Sequence, residues 1–336
     1  MEPAIPKDSV VLVTGVNGYI GSNVADQLME AGYRVRGTTR DLSKTRGLSS
    51  FWEQKFGHNR FEIVTVADMS HDGAFDEAVK GISGIAHVAS NVSFDPNPNK
   101  VIPEVLAGIN GILRSAAKEP SVKRFVYTSS STAATAPIPN KEFTIDASTW
   151  NEAAIKAAWA PPPYNDGREW DVYASSKVEG EKALWKFMIE EKPGFVANSI
   201  LPNSNFGTLL ARSQPTTTGI WIRYLYDGNA AALKGIPPQW FVDVQDTARL
   251  HVACLINSDV QNERIFAFAE PFNFNDVLKI LRNLRRDHIF PADFVDDGVR
   301  DRSRVANERA IELLKTLGRP GFTKLAKSIE NNIRDW

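Results

Sequence analysis

The chain has 336 residues, with 39 lysines and arginines against 40 aspartates and glutamates, so its formal net charge at pH 7 is -1. This length suits two domains, or one large α/β domain with an appendage. The balanced charge argues against a nucleic-acid binder or a membrane-surface binder, because either would carry an excess of basic residues.

Short β-rich runs alternate with helical stretches over the first two hundred residues. The predicted strands are Ser9–Thr14, Tyr33–Thr38, Phe61–Val66, Gly84–Val88, Arg124–Thr128 and Val196–Leu201. The helices predicted among them are Ser22–Ala31, Leu42–Phe56, Ala74–Lys80, Val105–Lys118 and Tyr173–Glu191. This alternation indicates βαβ units and a parallel sheet. We therefore predict an α/β protein with a doubly wound, Rossmann-type sheet whose ligand lies at the carboxyl ends of the strands.

The pattern changes after Pro202. Further strands are predicted at Trp240–Val242 and Arg264–Phe268, and helices at Asp246–Asn257, Phe274–Leu284, Asn307–Leu317 and Phe322–Arg334. This part shows no alternating β pattern of its own. We therefore predict a dinucleotide-binding domain over residues 1–202, to which some later segments return. Residues 203–336 are expected to form a smaller, helix-rich lobe that mainly binds substrate.

Three glycines follow the first predicted strand with the spacing G-x-x-G-x-x-G. Gly15 permits the sharp turn, Gly18 lets the backbone approach a pyrophosphate, and Gly21 lets the helix pack closely on the strand. The helix N-terminus then offers free N–H groups and a positive dipole end to the anion. An ordinary βα turn is the alternative. We predict a dinucleotide site that also includes three residues between these glycines: Asn17, Tyr19 and Ile20.

The end of the second strand selects between NAD and NADP. An NAD site places a carboxylate there for the ribose 2′-hydroxyl, whereas no carboxylate precedes Arg40 in this strand. Arg40 and Lys44 suit a 2′-phosphate, so we predict NADPH. The alternatives are a solvated basic helix start, or pairing of Asp41 with one of the cations. Asp68 and Met69, just after the third strand, are predicted adenine contacts, with a helix N-terminal acid as the alternative for Asp68.

A candidate catalytic group combines a Y-x-x-x-K motif with a strand-end serine. Tyr173 and Lys177 share one face of a predicted helix. The ammonium is expected to lower the pKa of the phenol from near 10, so that Tyr173 acts as general acid toward a carbonyl oxygen. Ser129 and Ser130 end the fifth strand, where adjacent side chains point to opposite sides. We assign the substrate-facing role to Ser130, and Ser129 is the competing candidate.

These motifs resemble those of the extended short-chain dehydrogenases/reductases. Within them, the chain is similar to the group that contains dihydroflavonol 4-reductases and fungal NADPH-dependent aldehyde reductase II and carbonyl reductases. The resemblance covers nearly the whole chain, including TGVNGYIG at 14–21, YTSS at 127–130, VYASSKVEGEKALWKFM at 172–188 and PADF at 291–294. It implies that Ser130, Tyr173 and Lys177 are the catalytic group and that Lys177 also holds the nicotinamide ribose. Further cofactor contacts are expected from Ala89, Ser90, Thr128 and Pro202.

The substrate side carries weaker patterns. The insert at 131–172, between Ser130 and Tyr173, is too long for a simple turn and is a candidate substrate wall. Phe94, Trp221 and Tyr224 are candidate pocket aromatics, although aromatics at such spacing are commonly core residues. The five histidines show no metal-ligand spacing, so no metal site is expected.

These patterns favour NADPH-dependent reduction of an aldehyde or ketone to an alcohol. The alternatives are a nucleotide-sugar epimerase or dehydratase, which usually keeps an acidic residue after the second strand, and a non-catalytic redox sensor, which typically loses the tyrosine or lysine. No apolar run approaches the roughly 18 residues of a membrane span, and Met1–Asp8 shows no signal peptide. We therefore expect a cytoplasmic monomer or homodimer that acts on a small-molecule carbonyl compound, without a membrane or nucleic-acid partner.

Overall fold

The computed structural model describes residues 3–211, 214, 216–295 and 298–336. Its strands are β1 (Val10–Val13), β2 (Arg34–Thr39), β3 (Phe61–Thr65), β4 (Gly84–His87), β5 (Arg124–Thr128), β6 (Thr144–Ile145), β7 (Val196–Pro202), β8 (Ser204–Phe206), β9 (Gln239–Asp243), β10 (Arg264–Ala267), β11 (Glu270–Phe272) and β12 (Arg304–Val305). Its α-helices are α1 (Tyr19–Glu30), α2 (Arg46–Phe56), α3 (Pro98–Lys118), α4 (Ser131–Ala134), α5 (Glu152–Ala158), α6 (Glu169–Glu191), α7 (Gly219–Tyr226), α8 (Val244–Ile256), α9 (Phe274–Leu284), α10 (Glu308–Thr316) and α11 (Leu325–Asn332). Two 3-10 helices occupy Leu42–Thr45 and Ala230–Leu233.

A seven-stranded parallel sheet forms the centre of the protein. The strand order is β10–β7–β5–β4–β1–β2–β3, so the direction of winding reverses beside β1. This confirms the predicted doubly wound, Rossmann-type sheet. In such sheets a crevice opens outside the carboxyl ends of the strands at the reversal point. Here that point lies between β1 and β4, where the glycine loop begins.

Helices cover both faces of this sheet. Helices α1 and α8 pack together on one face, and α3 and α6 pack together on the other. Val11, Leu12 and Val13 of β1 are fully buried between these layers. Burial on both faces explains why the strands are almost continuously apolar. None of the described helices is long and apolar enough to cross a bilayer.

A second, smaller sheet lies in the C-terminal part of the chain. Its order is β11–β9–β8, with β9 antiparallel to β11 and parallel to β8. Helices α7, α9 and α11 pack around it on a core that includes Phe206, Phe241 and Phe272. This second sheet was not among the predictions. Strands β8 and β11 have three residues each, and Pro271 interrupts the second, so neither is long enough to show an alternating pattern.

Two predicted helices differ in extent. The segment Ala74–Lys80 forms turns rather than a helix, with N–H groups such as those of Asp76 and Lys80 donating to carbonyls three residues earlier. The helix predicted at Val105–Lys118 begins earlier, at Pro98, because Asn97 caps it by accepting a hydrogen bond from the Asn99 N–H.

Candidate functional site

The glycine loop lies at the carboxyl end of β1. Gly15 has a φ of 64°, which favours glycine. A Cβ on Gly21 would lie 2.4 Å from the Gly15 carbonyl oxygen, so only glycine lets α1 approach the loop this closely. Helix α1 starts at Tyr19, and among the described residues no side chain caps it and no acidic residue lies in its first turn. Its N-terminal N–H groups can therefore face an anion.

The loop after β4 forms the opposite side of this cradle. The Thr14 hydroxyl accepts hydrogen bonds from the backbone N–H groups of Val88 and Ala89, each at 2.9 Å. These bonds hold Ala89 so close to Gly15 that a Cβ on the glycine would lie 3.2 Å from the Ala89 Cα. The Ser90 hydroxyl is buried and has no hydrogen-bond partner among the described residues. The cradle, the uncapped helix and this unpaired hydroxyl fit a dinucleotide.

Two cations lie where a 2′-phosphate is expected. Arg40 follows β2, Lys44 lies in the 3-10 helix, and both are exposed and line the cleft. In the described part of the chain neither forms a salt bridge. The Asp41 carboxylate instead accepts a hydrogen bond of 2.9 Å from the Ser43 N–H. That contact, with smaller contributions from Lys44 and Arg46, lowers the pKa of Asp41. The geometry therefore leaves both cations available to a ligand.

Asp68 and Met69 line the same cleft. The Asp68 carboxylate accepts hydrogen bonds from the N–H and the hydroxyl of Ser70, at 2.8 and 2.6 Å. These bonds are the main reason why the pKa of Asp68 is lowered, and His71 contributes less. The carboxylate thus stabilises its own turn, and no helix follows it. Met69 packs against Gly108 of α3.

The structure brings Ser130, Tyr173 and Lys177 together at the carboxyl end of β5. The Ser130 side chain lies beside Tyr173 and favours the charged form of its phenol. Lys177 Nζ donates to the Thr128 carbonyl at 3.1 Å and lies 6.0 Å from the centroid of the Tyr173 ring. Ser130 also caps the short helix α4, because its Oγ accepts from the Thr132 N–H at 3.2 Å. A tyrosine hydroxyl, a serine hydroxyl and a buried ammonium thus meet at one end of the sheet.

Burial dominates the electrostatics of this group. It raises the pKa of Tyr173, and the Ser130 side chain opposes this rise only in part. The expectation of a lowered phenol pKa was therefore wrong for this structure, because desolvation disfavours the phenolate. Burial also lowers the pKa of Lys177 to about 8, against the opposing effect of Glu181. At neutral pH Tyr173 is protonated and can donate its proton.

The hydroxyl groups of Thr128 and Ser129, the two residues before Ser130, point away from the cleft. Ser129 Oγ donates to Glu181 Oε2 at 2.7 Å in the interior. The Thr128 hydroxyl is hydrogen-bonded to His251 Nε2 at 2.7 Å, and Thr128 is among the residues that line the cleft. Of the two adjacent serines, Ser130 is the one whose hydroxyl meets Tyr173.

Aromatic side chains line the substrate end of the cleft. The Phe94 ring centroid lies 5.1 Å from that of Tyr173 and 4.8 Å from that of Trp170. Trp221 also lines the cleft, whereas Tyr224 packs against the core of the second lobe and is not among the lining residues. The candidate pocket role of Tyr224 is therefore wrong. Trp221 and Tyr224 are three positions apart on α7. Only Trp221 lines the cleft, because α7 presents only part of its surface to it.

The cleft has a volume of about 1810 Å³ and extends from the glycine loop to the second lobe. Pro202, Asn17, Tyr19 and Ile20 line it as predicted. The insert at 131–172 forms part of its wall through Thr132, Thr135, Ala136, Pro137, Asn151 and Trp170. Further residues line the cleft without having been predicted, among them Thr38, Thr39, Asn203, Asn205, Lys234 and Gln239. Thr38, Thr39 and Asn203 carried a local signal, since each lies at the carboxyl end of a predicted strand.

His87 is buried, hydrogen-bonded to the Thr14 hydroxyl at 3.0 Å, and its pKa is lowered to about 3 by burial. Within the described ranges, no group of three or more histidines, cysteines or carboxylates is arranged to hold a metal ion.

Comparisons with known proteins place this geometry in context. The sequence pattern of the NAD dependent epimerase/dehydratase family matches residues 11–268. Aldehyde reductase 2 of Sporidiobolus salmonicolor is 42% identical over 334 residues, which cover 98% of this chain and 96% of that protein. Ketoreductase adrE of Penicillium roqueforti is 36% identical over 334 residues, with 98% and 97% covered. The crystal structure of yeast methylglyoxal/isovaleraldehyde reductase Gre2 complexed with NADPH superposes with a TM-score of 0.81, at 25% identity and 97% coverage of each chain.

Proposed function

The chain belongs to the NAD dependent epimerase/dehydratase family of extended short-chain dehydrogenases/reductases, and we propose that it reduces an aldehyde or a ketone to the alcohol with NADPH. The observation that carries this proposal is the meeting of Ser130, Tyr173 and Lys177 at the carboxyl end of β5, in the same cleft as the glycine loop. The names of the relatives, an aldehyde reductase and a ketoreductase, agree with it.

In the proposed reaction, bound NADPH supplies a hydride to the carbonyl carbon. The Ser130 hydroxyl holds the carbonyl oxygen beside the phenol, and Tyr173 donates its proton to that oxygen as the carbon–oxygen double bond becomes single. The phenol can do so because burial keeps it protonated at neutral pH. The Lys177 ammonium then stabilises the phenolate that remains. One hydride and one proton enter the substrate, so the product is the alcohol.

The preference for NADPH rests on the end of β2. Arg40 and Lys44 are exposed, and neither is paired with Asp41 in the described structure. Two cations favour a 2′-phosphate, whereas a ribose 2′-hydroxyl is normally recognised by a carboxylate. The same feature speaks against an epimerase that retains NAD.

The test is a panel of aldehydes, ketones and nucleotide sugars, assayed with the purified protein and each reduced cofactor. We expect carbonyl-dependent oxidation of NADPH that is lost in Tyr173→Phe. Epimerisation of a nucleotide sugar, or cofactor binding without turnover of any carbonyl compound, would contradict the proposal.

A further inference from the structure

A buried ion pair joins the catalytic helix to the edge of the central sheet. Glu181 lies on α6, one helical turn after Lys177, and Arg264 begins β10. Their side chains are 0% and 6% exposed, and Arg264 Nε approaches Glu181 Oε1 to 2.8 Å. Neither residue lines the cleft. Burying two charges costs free energy, and such pairs are often replaceable by apolar residues without loss of stability. The pair also makes contacts with both sides of the site.

Glu181 connects the pair to the residues that carry the catalytic group. Its Oε2 accepts a hydrogen bond of 2.7 Å from Ser129 Oγ, and its Oε1 accepts one of 2.7 Å from Ser199 Oγ. Ser129 immediately precedes Ser130, so this bond fixes the backbone from which the Ser130 hydroxyl projects. The same carboxylate lies on the helix that carries Tyr173 and Lys177.

Arg264 connects the pair to the wall of the substrate site. Its Nη1 donates to the carbonyl oxygens of Ala147 and Thr149, each at 2.8 Å. Its guanidinium also stacks on Trp150, 3.8 Å from the ring centroid. These three residues belong to the 131–172 insert. The planar guanidinium satisfies the carboxylate and both carbonyls at once because its donors have a fixed, forked geometry, which a lysine does not have.

We propose that Arg264 and Glu181 act as positioning residues, which hold the insert wall in a fixed place relative to Ser130 and the catalytic helix. This inference rests on the proposed carbonyl reduction, for which the wall and the catalytic group must bind one substrate together. The Arg264 side of the pair sets the position of the wall and therefore substrate binding. The Glu181 side sets the position of the Ser130 hydroxyl and therefore turnover.

Arg264→Lys tests the first side, because a lysine can keep the charge opposite Glu181 but cannot also hold both insert carbonyls. We expect the KM for the carbonyl substrate to rise about 10-fold, equivalent to about 1.4 kcal/mol of lost binding, because a displaced wall weakens the binding of substrate and transition state alike. The dissociation constant for NADPH should stay at the wild-type value. Arg309→Lys is the matched control. Arg309 likewise has several acceptors, the carboxylates of Glu263, Asp259 and Glu312, but among the contacts described it reaches neither the insert nor α6.

Ser129→Ala tests the second side. It should lower kcat several-fold, by roughly the 0.5–1.5 kcal/mol of one hydrogen bond, and leave KM unchanged. Trp150→Leu keeps the ion pair and removes only the stacking, so it should raise KM in the same direction as Arg264→Lys. It serves as the second variant if Arg264→Lys does not fold.

Amide hydrogen exchange gives a readout that does not depend on activity. Exchange at residues 147–151 should accelerate in Arg264→Lys and in Trp150→Leu, and should stay at the wild-type rate in Arg309→Lys. Wild-type exchange and an unchanged KM in both insert-side variants would overturn the inference. If the wild-type protein reduces no carbonyl compound, the proposed function fails, and the exchange rates alone decide whether the pair holds the insert.

Discussion

Replacing Lys177 by methionine is expected to stabilise the folded protein in the absence of cofactor while abolishing turnover. The Lys177 ammonium is 4% exposed, and its one described hydrogen bond is to the Thr128 carbonyl, at 3.1 Å. Burial lowers the pKa of Lys177 from 10.5 to about 8. In the unfolded chain Lys177 keeps the higher pKa. The folded state therefore binds the Lys177 proton less tightly, and the charged ammonium destabilises the fold.

The size of this effect follows from the shift in pKa. The difference between 10.5 and about 8 corresponds to about 3 kcal/mol at neutral pH, at about 1.4 kcal/mol for each pKa unit. Losing the hydrogen bond to Thr128 offsets about 1 kcal/mol of the gain. Methionine fills a similar volume without a charge. The net gain is therefore about 2 kcal/mol, which raises the melting temperature by roughly 4 °C.

The pH dependence has a defined sign. The destabilisation is fully present below pH 8, decreases between pH 8 and pH 10.5 as the folded and then the unfolded lysine lose their protons, and is absent above that range. The stabilisation by Lys177→Met should therefore be seen at pH 7 and disappear by about pH 11.

Thermal melts of the cofactor-free proteins at pH 7 and at alkaline pH measure this effect. Lys182→Met is the control, because Lys182 lies on the same helix but is 39% exposed and paired with Glu152, so it has no comparable burial cost to relieve. A Lys177→Met protein that folds and melts below the wild type at pH 7 would refute the reasoning. A gain of equal size in Lys182→Met would do the same.

Four further outcomes are expected. Tyr173→Phe should lower turnover by about 100- to 10,000-fold with unchanged NADPH binding in a fluorescence titration, and wild-type turnover would exclude Tyr173 as proton donor. Arg40→Ala should weaken NADPH by roughly 10- to 150-fold, the value of one charge-assisted hydrogen bond, and a constant NADPH/NADH ratio would contradict this. Ser130→Ala should lower turnover far more than the several-fold decrease expected for Ser129→Ala, and steady-state rates in the reverse order would exchange their roles. Burial raises the pKa of Asp243 to about 6, so Asp243→Asn should stabilise the protein at pH 7 by about 2–3 kcal/mol in urea unfolding, a gain that should vanish near pH 4.

The features predicted correctly from the sequence are those that short segments determine. The glycine spacing fixes a turn because Gly15 and Gly21 occupy positions that no larger residue fits. The i, i+4 spacing places Tyr173 and Lys177 on one helix face whatever lies around them. The alternation of strands and helices likewise defines the central sheet, since each βαβ unit has one favoured handedness.

The features that were missed depend on contacts between distant segments. Tyr224 and Trp221 lie on the same helix, and only the packing of α7 on the second lobe decides which of them reaches the cleft. The direction of the pKa shift of Tyr173 depends on its burial, which comes from loops and helices far along the chain. Arg264 lies 83 residues beyond Glu181, and no local pattern marks the two as partners.

The buried charges of the catalytic region explain why Lys177 remains costly in the cofactor-free protein. Glu181 lies one turn away and raises the pKa of Lys177, but less than burial lowers it. The Glu181 carboxylate is already satisfied by Arg264, Ser129 and Ser199, so its charge is largely compensated before it acts on the lysine. The bonds of Glu181 would hold the insert wall and Ser130 in place. Because they use the Glu181 carboxylate, they leave the positive charge of Lys177 only partly compensated. A ligand hydroxyl that accepts a hydrogen bond from this ammonium would recover part of that cost, which gives Lys177 a physical reason to bind a ribose.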